Sequence, residues 1–292
     1  MGTVNPTAVK RWIGLELKRL REAAGHDRAA AAERIGKATT VIAHIETARN
    51  LPAPADLELL LDFYGAPDLI PVFREMVRRG KRGKDWWIKF NEAVPEFLNI
   101  FLGLETGAAR ISSADINVVP GLFQTRDYAF TIHNMFGKRF GRRLSDEEIE
   151  AKVDLRMTRQ ATVVERSEDA PQIWSILDEG ALRRQVGGPA IMRAQLERLA
   201  QLTERPNVDI QVLPFTEGAH LAIDGTFTIF DYPSEFVGDP GTVYIETRTG
   251  GEYYERPDQV RDFRNAFERL QGQAENPDRS RDFILSLAKE MV

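Results

Sequence analysis

The sequence predicts a multi-domain chain: an all-α head of five short helices, followed by a larger α+β domain with a mixed sheet. Three observations carry this. At 292 residues the chain exceeds the usual length of one domain, so a small and a larger core are expected. Over the first 80 residues apolar side chains recur at helical spacing between glycine and proline breaks. Beyond Trp86-Trp87, β-like runs alternate with helical stretches and a glycine hairpin signal.

Ile13, Leu17 and Leu20 recur at i, i+4 and i+7 among Lys18, Arg19, Arg21 and Glu22, which makes the first helix amphipathic, and Gly25 ends it. Asp27 caps a second short helix, in which Ala31, Ala32 and Ile35 permit close approach by a neighbour, and Gly36 breaks it. A third helix is expected over Thr39–Thr47, with Ile42 and Ile45 facing inward. Pro52-Ala-Pro54 starts a fourth, which gives Leu57, Leu60, Leu61 and Tyr64 to the core, and Pro67 opens a fifth reaching Arg79. The head is therefore placed at residues 1–80. The run from Arg78 to Lys84 combines charge with glycine and has no apolar period, so a solvated basic linker is expected over 81–85.

The second domain is placed at 86–292. A helix through Phe97, Phe101 and Leu104 leads to strands expected at 115–119, 172–177, 208–213, 227–230 and 243–247, with a hairpin at Gly250-Gly251. Helices are expected over 145–164 and 189–203, and after Pro257 and Pro277.

The net charge of −5 hides an asymmetry. Residues 1–82 hold 14 lysines and arginines against 10 acids, and the remainder holds 25 against 34. A basic head on an acidic body lets one end approach phosphate while the other repels it. No apolar run approaches the ~18 residues that a membrane helix needs, and the N-terminus lacks the apolar core of a signal peptide, so a cytoplasmic protein without membrane contact is expected. The absence of cysteine excludes disulfides, thiolate zinc sites, iron–sulfur clusters and a cysteine nucleophile. His26, His44, His133 and His220 are scattered and show no metal spacing, so no catalytic residue, metal or cofactor is expected. Asp178-Glu179 and Glu246 are of a type that does acid–base work. They read better as helix caps or as partners of Arg183 or Arg184. Gly187-Gly188-Pro189 reads as a tight turn ahead of a helix rather than an anion site.

Two short helices joined by a tight turn, the second presenting Thr39, Thr40, Ala43 and His44 opposite Ile42 and Ile45, meet the geometric requirement for reading a major groove. Helix spacing alone suits a plain bundle with a polar outer face equally well.

From Ile13 to Gly65, the stretches LKRLREAAG, AAERIG, VIAHIE and LPAPADLELLLDFYG resemble the lambda-repressor/Cro (XRE) helix-turn-helix family. The resemblance implies an ion pair between Arg21 and Glu46, a phosphate contact from Arg28, and base reading by Thr39, Thr40 and His44, with Lys37, Ala43 and Arg49 completing the DNA-facing set. Three departures stand out: Lys37 replaces a usually apolar residue, Ala48 stands where glycine is typical, and the groove face lacks arginine, asparagine and glutamine. Most of the rest is similar to the domain of unknown function in WhiJ-like actinobacterial regulators, through VVPGLFQTRDYA, RMTRQ, ILDEGALRRQVGGPAIMRAQLERL, PNVDIQVLPF and VYIETRTGGEYYE. That resemblance implies a toxin-antitoxin-like arrangement with a small BldB-like protein partner. The expected function is sequence-specific regulation of transcription on double-stranded DNA, by a homodimer joined through its second domain. Gln124, Thr125, Tyr128, Glu179, Arg183 and Glu246 form the candidate partner or ligand surface. The alternative is a DNA-tethered enzyme or small-molecule sensor whose activity lies in the second domain.

Overall fold

In the computed structural model, which describes residues 5–291 apart from 83–84, 91–93, 95, 140–143, 167 and 249, the first helix starts at Asn5-Pro6. The Asn5 side chain accepts from the amides of Thr7 and Ala8, and Pro6 sits where a helix needs no amide. Five helices follow in one unit: α1 (Pro6–Ala23), α2 (Arg28–Arg34), α3 (Thr39–Glu46), α4 (Pro54–Phe63) and, after a 3-10 turn at Pro67–Leu69, α5 (Ile70–Arg82). Asp27 caps α2 by accepting from Ala30 N at 2.8 Å. The apolar stripes of these helices meet in a core that includes Trp12, Ile13, Leu17, Ile42, Ile45, Leu57, Leu61 and Phe73.

The first four helices end alike. After α1, α2, α3 and α4 the chain turns through a left-handed residue, Gly25, Gly36, Ala48 and Gly65 respectively. In each case that residue's amide and the next one reach back to carbonyls of the last turn, as Gly25 N does to Glu22 O and His26 N to Arg21 O. Ala48, at φ 59°, makes the same two bonds to Ile45 O and His44 O while carrying a β-carbon.

The basic run expected as a linker starts as helix. α5 continues through Lys81 to Arg82, positions 83–84 lie outside the described residues, and Asp85 accepts from the Asn5 amide at 3.3 Å. Gly80 explains the continuation: a β-carbon there would lie 3.0 Å from Val9, so this glycine lets α5 lie against α1 instead of ending the helix. The unit that holds this head comprises the chain up to Trp86 together with Leu102–Gly107 and Pro233–Asp239. The late segment is anchored on this unit by the buried Phe236 side chain, while Val237 is exposed. Phe236 packs edge-on against Trp12 at 5.7 Å, the Trp12 indole donates to Val237 O at 3.2 Å, and Arg11 pairs with Asp239 at 2.5 Å with both side chains buried.

The second unit holds a six-stranded sheet in the order β3-β2-β1-β4-β5-β6. Its strands are β1 (Arg110–Asp115), β2 (Gln172–Asp178), β3 (Val208–Leu213), β4 (Phe227–Asp231), β5 (Thr242–Glu246) and β6 (Gly251–Tyr254). β1, β2 and β3 run parallel, and β4, β5 and β6 continue from β1 as an antiparallel meander. Parallel neighbours need long crossovers. After α6 (Glu96–Gly107), these are supplied by α7 (Arg126–Arg139) and α8 (Asp146–Val163) between β1 and β2, and by α9 (Glu179–Arg183) and α10 (Pro189–Leu202) between β2 and β3. α11 (Pro257–Gln273) and α12 (Pro277–Glu290) close the chain. Val260, Phe267 and Leu270 of α11 pack on Ala114, Ile176, Phe227, Ile229 and Val243. The outer edge of β3 is occupied, since Val212 N donates to Ser280 Oγ and Val212 O accepts from Glu275 N.

This is the α+β architecture with a mixed sheet read from the sequence, with two differences. The first strand is Arg110–Asp115 rather than 115–119. Its serine-rich sequence has little β propensity, but it is held on both sides by β2 and β4. The apolar run after it leads into Pro120 and forms a loop instead. α7 has no counterpart in the sequence reading, although Thr125 marks its start by accepting from Tyr128 N.

Candidate nucleic-acid interface

α2 and α3 are joined by the turn through Gly36, and α3 crosses α1 at Gly14. A β-carbon on Gly14 would lie 2.4 Å from Ile45 O, so the backbone of α3 rests on the backbone of α1. Ile42 and Ile45 are buried in this contact. On the far face Thr39 and Thr40 are exposed, Ala43 and His44 are half-buried, and Arg49 is exposed just beyond the helix. The cap residue before α3 is Ala38, whose side chain makes no capping bond, so the first amides of α3 are not satisfied by a side chain at the cap position.

Glu46, the last residue of α3, fixes the helix at its other end. Its side chain is 2% exposed and takes hydrogen bonds from Arg21 Nε at 2.5 Å and Arg21 Nη2 at 3.1 Å. Arg21 Nη1 also donates to His26 O at 2.7 Å, so one guanidinium ties together α1, the turn before α2 and the end of α3. The bonds to Glu46 hold Arg21 above its ordinary pKa. The structure adds a third member: Arg28 Nε reaches Glu46 Oε2 at 2.7 Å while 42% of the Arg28 side chain stays exposed. Arg21 Nη2 also lies 3.3 Å from Glu22 Oε1, so the two arginines here meet two carboxylates. Lys37 is held against Asp56 of α4, which accounts for a lysine at a position where the resemblance expects an apolar residue. Sequence reasoning overlooked Gly14, the sharing of Glu46 and the Lys37–Asp56 pair. A glycine within an otherwise good helix pattern was the available signal for the first.

Residues 12–70 match a family described as a helix-turn-helix domain. Residues 98–286, more than half of the chain, match a domain of unknown function, DUF5753. The chain belongs to the DUF5753 family. It carries a helix-turn-helix DNA-binding domain at its N-terminus. No curated protein and no solved structure matches it.

Within the DUF5753 domain the six residues singled out from sequence fall into separate places. Gln124 and Tyr128 are buried and serve the loop between β1 and α7: Gln124 Nε2 donates to Val119 O at 2.6 Å, and Val119 N donates to the Tyr128 hydroxyl at 3.2 Å. Thr125 N donates to Gln195 Oε1 at 2.8 Å. Gln160 and Gln195, which the sequence reading did not mention, complete the clasp by donating to Gly121 O, Gln124 O and Phe123 O. Glu179 and Arg183 pair at 2.5 Å on α9, where Glu179 also accepts from Phe215 N, so this carboxylate is held in a structural contact. Asp178 caps α9 through Gly180 N. Glu246 is exposed at the end of β5. Gly187 and Gly188 both have positive φ and form the turn into Pro189. Among the described residues no group of three or more histidine, aspartate or glutamate side chains is placed to hold a metal ion, and no helix is long and apolar enough to cross a membrane.

Proposed function

We propose that this protein is a sequence-specific, cytoplasmic regulator of transcription of the lambda-repressor/Cro type, similar to the WhiJ-like regulators, which inserts α3 into the major groove of double-stranded DNA. One observation carries the reading: α3 exposes Thr39 and Thr40 with His44 alongside, while its inner face is seated on α1 at Gly14 and its end is clamped through Glu46. A helix fixed from behind with a short polar outer face is what groove reading requires. Threonine donates, accepts or packs its methyl on thymine, and histidine meets a guanine edge or a phosphate. Arg28 and Arg49 serve phosphate: the first has an exposed guanidinium edge beyond its bond to Glu46, and the second is exposed after α3. Lys37, engaged by Asp56, contributes mainly through its charge.

A single small head reads few bases, so two heads on a roughly palindromic site are expected, in a homodimer joined through the DUF5753 domain. That domain also takes a small BldB-like protein, in a toxin-antitoxin-like arrangement, or a small ligand, and it binds without catalysing. The test selects a binding sequence with the purified protein, then compares wild type with a variant carrying Thr39→Ala, Thr40→Ala and His44→Ala at equal salt. Loss of preference for the selected sequence with an unchanged unfolding curve supports the reading. Undiminished preference contradicts it.

A further inference from the structure

α11 covers one face of the sheet but leaves a cleft of about 240 Å³ at the end where β1 and β2 begin. The pairing register sets two rows of side chains beneath it: Arg110 beside Asp231 in the outer row, and Asp209, Trp174 and Ser112 in the next. Arg264 and Glu268, one turn apart on α11, line the opposite wall. Pockets for drug-sized ligands run to roughly 300–1,000 Å³, so this space suits a smaller molecule. Its floor is held firmly. Trp174 Nε1 donates to Gln211 Oε1 at 2.8 Å, and Gln211 donates in turn to Gln271 O at 3.3 Å and Glu275 O at 2.9 Å, which fixes the indole. Ser112 is 6% exposed, and its hydroxyl makes no hydrogen bond with any described residue. A buried hydroxyl left so at the floor of a cleft offers a bound molecule both a donor and an acceptor.

Charge is sorted along the cleft. Arg264 crosses from α11 to pair with Asp231 of β4 and also donates to Pro240 O at 2.7 Å. Arg110 stands opposite Asp231 in the β1–β4 register, so two arginines and one aspartate leave this end with one positive charge. The other end lies over β3, where Gln211 reaches the α11 carbonyl of Gln271, the turn after Glu268. Asp209 and Glu268 line that end and make no ion pair with a described residue, so it carries two negative charges. Trp174 lies beside Asp209 in its row. Carboxylates next to an indole ring suit an ammonium group, which gains from both. β3 is two strands away from β1, which sets the backbones of Asp209 and Arg110 roughly 10 Å apart. A molecule that meets both ends must therefore hold its ammonium and carboxylate several bonds apart, farther than an α-amino acid's own pair.

We propose that the DUF5753 domain binds a small zwitterion of the ω-amino acid type in this cleft, with its ammonium group between Asp209 and Glu268 against Trp174 and its carboxylate on Arg110. This rests on the ligand-binding role given to the domain above, and supplies its site and chemistry. The test titrates the full-length protein with ε-aminocaproate by calorimetry, beside hexylamine and hexanoate, which each carry one of the two charges, at equal ionic strength. Saturable binding of ε-aminocaproate is expected, with each single-charge compound at least about tenfold weaker. Asp209→Asn and Arg110→Gln should each weaken binding about tenfold and leave the unfolding curve unchanged, because neither side chain holds another element in place. Absence of saturable binding, binding no tighter than that of hexylamine or hexanoate, or binding left unchanged by either substitution overturns the proposal. No DNA enters the measurement, so a negative result leaves the groove-reading assignment standing. Binding that survives both substitutions would keep a ligand role for the domain while removing this site.

Discussion

Replacing Ala48 by glycine should stabilise the helix-turn-helix head, and the repeated helix ending gives the magnitude. Four helices close with the same pair of backbone bonds, and Ala48 alone among the four left-handed residues carries a side chain. A β-carbon in that conformation costs roughly 1–2 kcal/mol, while the greater freedom of glycine in the unfolded chain costs roughly 0.5–1 kcal/mol. Ala48→Gly is thus worth about 0.5–1 kcal/mol, a rise of about 1–4 °C in the transition that includes the head. At Gly36 an added β-carbon meets nothing within 4 Å, so its cost is conformational alone. Gly36→Ala should lose about what Ala48→Gly gains, roughly 0.5–1 kcal/mol. Urea unfolding followed by circular dichroism measures both. A destabilised Ala48→Gly, or a Gly36→Ala without cost, would refute the claim that left-handed strain is concentrated at Ala48.

Gly14→Ala should destabilise the head by about 2 kcal/mol or more and weaken DNA binding, since its methyl would press on Ile45 O and shift α3; equal urea midpoints and equal DNA affinity would show that α1 gives way freely. Glu46→Ala strands the buried Arg21 and should cost about 3–5 kcal/mol, much of it recovered when Arg21 is also made apolar, as measured by paired unfolding curves. Burial pushes the Asp115 carboxyl up to about 6, so the folded state holds a proton that the unfolded chain has released. Its contribution is fully present below the unfolded value of 3.8 and is lost as pH rises through about 6. Asp115→Asn should therefore flatten the pH dependence of unfolding between pH 4 and 6 relative to wild type, and gain up to about 3 kcal/mol at pH 8; parallel pH profiles would show this carboxyl to be solvated rather than buried.

Much of the head was legible because its signals are local. Asp27, Gly25, Gly36 and Pro54 act within a turn of themselves, and each marks an element boundary in the structure. The Arg21–Glu46 pair was reached only through family resemblance, because nothing in spacing couples residues 25 positions apart. What was missed depends on distant partners. β1 is a strand by virtue of its two neighbours rather than its serines, and Gly80 belongs to a helix because Val9 lies beside it. Nothing local to Arg156 and Arg159 marks the loop at Gly121 that both of them approach.

The segment Pro233–Asp239 within the head unit also bears on the order in which the protein is made. Asp239 follows Arg11 by 228 residues. At roughly 5–20 residues per second of synthesis, Arg11 waits roughly 10–45 s on the ribosome before its aspartate exists. Trp12 waits almost as long for the carbonyl that its indole bonds. A chain released early, or nicked before Pro233, has all five helices of the head but lacks the pieces that bury Arg11 and cover Trp12. The cell thus obtains a finished DNA-binding head only after most of the DUF5753 domain has been translated.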